Sequence, residues 1–301
     1  MSVKFGIIGA GVVGTTIATL LNDAGCECIG VNTRSNKSYE RFCAYLPTTR
    51  LRLNELARAA DILFITTQDG SIEEVAIQLT IEKQNRPGQI WIHCSGSLRS
   101  EIMCKEKDLP VGYLSIHPLQ AFANIDRALL SMQGTHFGIE GNCQESEELG
   151  EALVEILGGI PHKIDPTQKT LYHAGAVAAS NYLVSLAYLA VKLFEQAGID
   201  KESALQSLLP LMSGSYHNIE KVGLPYALTG PIARGDTEVV RKHLQEIPWD
   251  LKETYKGLGR LALEVGEERN NLIGGNYNQE MLLELKKLLG VTRNVKGDED
   301  A

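Results

Sequence analysis

A chain of 301 residues is long enough for about two domains and needs no disulfide staple, because a chain of this size buries roughly three quarters of its unfolded surface. A hydrophobic fraction of 44% with 22% charged residues is that of an ordinary globular protein, which sets fibrous and disordered classes aside. The net charge of -8 argues against nucleic acid as a partner.

Residues 3–8 are a short apolar run of buried-strand type. Gly9-Ala10-Gly11-Val12-Val13-Gly14 follows at once, and 15–24 reads as a helix. Placed between strand and helix, G-x-G-x-x-G is the dinucleotide-binding fingerprint. Gly9 allows the tight turn, Gly11 lets backbone approach a pyrophosphate, and Gly14 lets helix and strand pack closely. The pyrophosphate is expected on the free N–H groups of the helix start. Further strands are expected at 27–32, 62–67, 90–94, 111–116 and 135–139, with an edge strand at 161–164. Helices lie between several of them. One is expected to open at the capping box Ser71-Ile72-Glu73-Glu74, and another to span 144–157. Short apolar strands alternating with helices imply a doubly wound, mostly parallel α/β sheet.

From 167 onward no strand is evident. Helices are expected at 167–197, 201–220, 237–246, 249–269 and 277–289, started by Asp165-Pro166 and capped at Asp236. The domains are therefore 1–165 (nucleotide-binding), 166–293 (all-helical) and an acidic, disordered tail at 294–301. The apolar stretch 174–191 carries Ser180, Asn181, Tyr182, Ser185 and Tyr188, so a helix buried in protein is expected there, with no membrane partner. It is too apolar to face water, and a homodimer through the helical domain would cover it. Cys26, Cys28, Cys43, Cys94, Cys104 and Cys143 form no C-x-x-C pair and no metal spacing. Reduced thiols, a cytoplasmic setting and no metal are expected, and the N-terminus carries no signal-peptide pattern.

Where an NAD-binding chain of this kind ends its second strand with an acid, this one reads Val31-Asn32-Thr33-Arg34-Ser35-Asn36-Lys37. Asn32, Arg34 and Ser35 offer donors and positive charge to a 2′-phosphate, so NADP (NADPH) is expected. Arg34 and Lys37 would otherwise be solvated charges at a helix start, where the dipole disfavours cations.

Ligands of open α/β sheets lie at the carboxyl ends of the strands. Thr66 and Thr67 either line the ribose and diphosphate or form a plain turn. Ser95 and Gly96 are placed to contact nicotinamide or substrate, and Ser97 to contact substrate. His117, at the end of a strand and before Pro118, either donates a proton to a carbonyl or imine or bonds to backbone. On the small-residue helix, His173 and Ser180 share a face, with Asn181 beside them, and meet substrate or neighbouring helices. Arg234, in a loop expected over 228–236, is placed to clamp a carboxylate or merely to precede the Asp236 cap.

The fingerprint Gly9–Gly14, His117-Pro118-Leu119-Gln120, Tyr172-His173 through Ser180-Asn181-Tyr182, and 229–236 together resemble a Rossmann-like family whose C-terminal half is domain of unknown function 2520. More widely the chain is similar to the 6-phosphogluconate dehydrogenase-like group, including pyrroline-5-carboxylate reductase and prephenate dehydrogenase. That resemblance implies a Rossmann domain followed by a helical domain that dimerises, and His117-Pro118 is similar to the His-Pro of prephenate dehydrogenases. The 3-hydroxyacid dehydrogenases place a catalytic lysine four residues before the helix asparagine. Here that residue is Val177, so their lysine mechanism is not expected. The expected function is an NADP-dependent oxidoreductase moving hydride to or from a small C=O or C=N compound. His117 or His173 would supply the proton, with Asn181, Ser97, Ser180 and Arg234 near substrate. The alternative is a non-catalytic NADP-binding sensor that keeps the glycines and lacks turnover.

Overall fold

The computed structural model describes residues 3–273 and 277–291. The expected tail at 294–301 lies outside the described residues. Seven strands, β1 (Lys4–Ile8), β2 (Glu27–Asn32), β3 (Ile62–Ile65), β4 (Gln89–His93), β5 (Val111–Pro118), β6 (His136–Gly141) and β7 (Ile160–Lys163), form one sheet in the order β2-β1-β3-β4-β5-β6-β7. Every neighbouring pair is parallel except β5 and β6. Helices α1 (Val12–Asp23), α2 (Asn36–Cys43), α3 (Leu53–Ala59), α4 (Asp69–Glu82), α5 (Ile125–Ser131) and α6 (Gln144–Ile156) lie between strands.

The strands form because both faces are buried. In β3 all four residues are inside: Phe64 joins Phe5, Ile7, Ile17 and Leu21 on one face, and Leu63 and Ile65 join Leu56, Ile72, Leu79 and Trp91 on the other. β3 ends at Ile65, two residues sooner than expected, because Thr66 turns its hydroxyl onto the Gly9 carbonyl at 2.7 Å. The helix after it starts at Asp69 with Gln68 as N-cap, not at the Ser71 capping box. Ser71 already lies in the first turn, where its N–H bonds the Gln68 carbonyl.

The chain divides into two compact units, Met1–Tyr182 and Leu183–Ala301, so the long helix α7 (Lys169–Gln196) contributes to both. Asp165 caps the short 3-10 turn Pro166–Gln168 that leads into it. The second unit holds α8 (Lys201–Val222), α9 (Leu224–Ala227), α10 (Gly230–Arg234), α11 (Thr237–Glu246), α12 (Trp249–Ile273) and α13 (Gln279–Leu289). The expected loop 228–236 is therefore helical over α10, where Pro231 at N1 pre-sets the first turn. Asp236 caps α11 by accepting the Val239 N–H. Val240, Leu263, Leu285 and Leu289 pack together, and Val191, Ala204 and Leu208 form a second cluster.

The expected burial of 174–191 is not found within the single chain. Tyr182, Leu183, Val184, Leu186 and Tyr188 are all exposed. The helical stretch Pro166–Gln196 is long and apolar enough to cross a membrane, and 11% of its most apolar window is buried in this chain.

Candidate functional site

The first half of the site is a nucleotide cleft. Ile8 pairs with Asn32 on one side and Ile65 on the other, so the ends of β2, β1 and β3 stand in line. β1 is where the strand order reverses, which opens a crevice beyond the carboxyl ends. Gly9 has φ +110°, and a Cβ there would meet the Thr66 carbonyl at 2.7 Å. A Cβ on Gly14 would collide with the Thr66 hydroxyl and the Gly9 carbonyl. On Gly11 it would find its nearest atom at 4.0 Å, so Gly11 faces open space. Helix α1 has Gly11 as N-cap, no side-chain cap and no acid in its first turn. Its leading N–H groups and positive dipole end suit an anion. The cleft above holds about 420 Å³, within the range of cofactor pockets.

Asn32, Arg34, Ser35, Thr66 and Thr67 line this cleft with Gly9, Ala10 and Gly11. Asn32 also donates to the Leu51 carbonyl at 2.7 Å, and Ser35 caps α2 by accepting the Ser38 N–H. Arg41 and Ser38 line it too, one turn apart on α2, and sequence reasoning missed both. Arg41 donates to the Ala10 carbonyl at 2.8 Å. Their three-residue spacing after Ser35 was the available signal. Gly14 packs inward as expected; Val12 and Val13 are the first two residues of α1.

The second half lies at the ends of β4 and β5, in the same unit. β5 runs past its parallel neighbour, so His117 stands two residues beyond Ser115 on the same side of the strand. Across the antiparallel pair, Ser115 faces Glu140 and His117 faces Gly138. The first turns of α7 sit over these two pairs. Lys169 Nζ donates to Ser115 Oγ at 2.6 Å and to the Ser95 carbonyl at 3.5 Å, with Glu140 Oε2 at 3.9 Å. Glu140 accepts the N–H and hydroxyl of Ser100, both at 2.7 Å. One turn on, the Tyr172 hydroxyl lies 3.0 Å from His117 Nδ1, and the His117 and His173 rings meet edge-on at 5.8 Å. A Cβ on Gly96 would lie 2.6 Å from His173 and 2.8 Å from His117, so only glycine fits there. The Ser95 hydroxyl donates to Asp69 at 2.7 Å, and Ser97 does so at 3.3 Å.

Burial, then the neighbouring His173 and the Lys169 ammonium, push His117 down to about 4. Burial likewise holds His93 at about 4. His93 Nδ1 accepts the Ser95 N–H at 3.1 Å, which leaves its Nε2–H to donate to the Arg99 carbonyl. Burial lowers Lys169 to about 8, against the pull of the Glu140 carboxylate, so its ammonium stays protonated at neutral pH. Burial raises the Tyr172 phenol to about 12, opposed by the Gly138 backbone. At neutral pH His117 is thus an uncharged ring beside a buried cation. It can donate a hydrogen bond or accept a proton, and it holds no proton as imidazolium.

The structure therefore gathers Ser95, Gly96, Ser97, His117 and His173 into one cluster, apart from the glycine-lined cleft. Ser180 and Asn181 are exposed further along α7. Arg234 belongs to the second unit. Lys169, Asp69, Glu140 and a role for Tyr172 were missed. For Lys169, Glu140 and Tyr172 the signal is the pairing of β5 with β6, which sequence alone does not give.

Residues 1–118 match the model of the Rossmann-like domain. Residues 135–262 match that of the domain of unknown function DUF2520, so the chain carries these two domains in succession. No curated protein matches the chain. Among solved structures it is similar to protein TM1727 from Thermotoga maritima, at 28% identity over 88% of this chain and 99% of that one, TM-score 0.71. It shares the fold of a Bacteroides fragilis protein described as a candidate NADP oxidoreductase, at 21% identity over 90% and 98% of the two chains, TM-score 0.68. The pyrroline carboxylate reductase of Plasmodium falciparum, solved with NADP bound, is 16% identical over 91% and 98%, TM-score 0.57.

Two outcomes test this geometry. Gly14→Ala should lower stability by about 1–3 kcal/mol through overpacking. Gly11→Ala should unfold with nearly wild-type denaturant midpoint yet lose affinity for a dinucleotide. A histidine whose folded pKa is depressed contributes stability that is full above the unfolded value and lost as pH falls through the folded one. With His93 and His117 lowered from 6.5 to about 4, melting temperature should drop as pH falls across that window. His93→Asn should flatten part of that slope; a melting temperature equal at both ends of the window would contradict the assignment.

Proposed function

We propose that this protein is an NADP-dependent oxidoreductase acting on a small C=O or C=N compound. The observation that carries the reading is one unit holding both a glycine-lined cleft at a strand switch point and a half-buried, uncharged His117 at adjacent strand ends. A nucleotide sensor needs only the first. The cofactor, when bound, supplies the hydride chemistry. The residues present fit it: α1 offers uncapped N–H groups to a pyrophosphate, and Gly11 leaves room for its approach. Arg34, Ser35, Ser38 and Arg41 also line the cleft and offer charge and donors to a 2′-phosphate.

His117 is then the group that orients and polarises the substrate. The Tyr172 hydroxyl, 3.0 Å from His117 Nδ1, is read as donating its proton there. The proton of the neutral ring then sits on Nε2, the nitrogen Tyr172 does not engage. From there it hydrogen-bonds the oxygen or nitrogen that gains negative charge as hydride arrives. His173 packs against this ring and backs it. All six cysteines are free thiols, in keeping with a reducing, cytoplasmic setting.

The exposed apolar face of α7 is read as the seat of a second copy of this chain. A membrane is a poorer occupant: Lys169, at the start of the helix, is buried in protein on Ser115, and Ser180, Asn181 and Ser185 interrupt the apolar run. Light scattering at micromolar concentration should give a dimer, and Leu183→Glu with Val184→Glu should give a monomer. A wild-type monomer would discard this part of the reading.

The cofactor reading is tested by fluorescence titration with NADPH and NADH. NADPH should bind more tightly, and Arg34→Ala with Arg41→Ala should weaken NADPH far more than NADH. Against a panel of ketones and imines, His117→Asn should keep NADPH affinity and lower turnover by roughly a hundredfold or more. Equal binding of the two nucleotides would sink the NADP assignment. Full turnover in His117→Asn would sink the assignment of His117.

A further inference from the structure

Lys169 is the one lysine among the largest fully buried side chains, at 1% exposure, and the hydride chemistry proposed above gives it no task. An isolated ammonium does not stay in a protein interior unless it is paired and hydrogen-bonded. Here every partner belongs to a different strand end or the loop after it. Ser115 is on β5, Glu140 on β6, and the Ser95 carbonyl begins the turn after β4. Ser115 in turn donates to that same Ser95 carbonyl at 3.2 Å. The ammonium thus lies beneath the Ser95–Gly96 turn, and Gly96 is the residue pressed against both His117 and His173. It is three and four residues before Tyr172 and His173 on one helix, hence on the same face.

We infer that Lys169 is a positioning residue acting through His117: its buried ammonium fastens the Ser95–Gly96 turn against the ring and disfavours a second positive charge there. The inference rests on the reading that His117 serves the reaction. Hydrophobic packing alone would leave Ser115, Glu140 and the Ser95 carbonyl short of a shared donor; a lysine supplies both the donor and the field. The titratable groups around His117 are His173, Lys169 and Tyr172 on α7, Asp69 at the start of α4 and His93 at the end of β4. Of these Asp69 alone draws a proton toward the ring, and its carboxylate is shared with the Ser95 and Ser97 hydroxyls. Lys169 opposes it. Removing the ammonium therefore leaves Asp69 less opposed and makes His117 easier to protonate.

The experiment is a histidine-selective NMR titration of the full chain, with the His117 signal identified by its loss in His117→Asn. In Lys169→Met the His117 midpoint should move up by roughly one pH unit. Lys169→Arg, which keeps the charge, should hold it near the wild-type value. A substitution that merely loosened the core would not distinguish these two variants. An unchanged midpoint in folded Lys169→Met overturns the inference. Should that variant not fold, the wild-type protein decides: as pH is raised through the Lys169 transition near 8, the His117 shifts should follow the lysine ε-CH2 signal with the same midpoint. His117 shifts that stay flat through that transition overturn it equally. Neither measurement uses cofactor or substrate, so failure to bind NADPH would end the oxidoreductase reading and leave this result standing.

Discussion

A lysine ammonium is costly to place in a protein interior, and the position of Lys169 constrains everything around it. Its anchors, Ser115 and Glu140, are directly opposite one another on β5 and β6. The next pair along, His117 and Gly138, is two residues further on the same side, a step of about 6.8 Å in a strand. One turn of helix rises about 5.4 Å, close enough for Tyr172 to land on the second pair once Lys169 is seated on the first. Seating the lysine thereby sets the register of α7 against the sheet. Gly138 follows from it: a Cβ there would lie 2.5 Å from the Tyr172 hydroxyl. Gly96 follows too, since the turn is drawn onto the two imidazoles. Two glycines, a serine and a glutamate are thus held to their identities by one buried charge.

The nucleotide cleft obeys a different constraint, which is local. Gly9, Gly14 and Thr66 are mutually exclusive in space with any larger set of side chains, and they are brought together by the parallel pairing of β1 with β3. The Thr66 hydroxyl, which lines the cleft, is also the clasp that holds the Gly9 carbonyl. Its role in the cleft is therefore indirect: it fixes the backbone of the glycine turn. Arg41 acts in the same double way, with one nitrogen on the Ala10 carbonyl and the rest of its guanidinium at the cleft.

What was legible in the sequence follows this division. The glycine fingerprint, the buried runs Ile62–Ile65 and Gln89–His93, and the cap at Asp236 depend on neighbours within a few residues, and all are found close to their expected places. The capping box at Ser71 is equally local and was misleading, because the chain leaves β3 two residues early to clasp Gly9 and enters α4 sooner. Lys169, Glu140 and Asp69 were invisible for a physical reason. Their partners lie 54, 40 and 26 residues away, and no periodicity encodes a cross-strand register of that span. The apolar stretch of α7 was legible from composition, and much of it is exposed in the single chain. Hydropathy reports that a surface avoids water, and it is silent on whether the cover comes from the same chain.

The protonation states around His117 suit the catalytic reading better than simple binding. Lys169, His117 and His93 are all held below their ordinary values, chiefly by burial, and each shift is free energy drawn from folding. The sheet beneath can supply it, with Trp91, Phe64, Ile65 and Leu63 fully buried nearby. Yet replacing a buried ionic cluster by apolar residues of similar volume is often stabilising, so nothing in the fold itself requires this arrangement. These three groups all lie at the strand ends around His117. A protein whose whole task was to hold a nucleotide would gain stability by filling that place with leucine and valine. One that must hold an uncharged imidazole in place, with Tyr172 on one nitrogen and the Gly96 turn against the other edge of the ring, has a use for the cation beneath it.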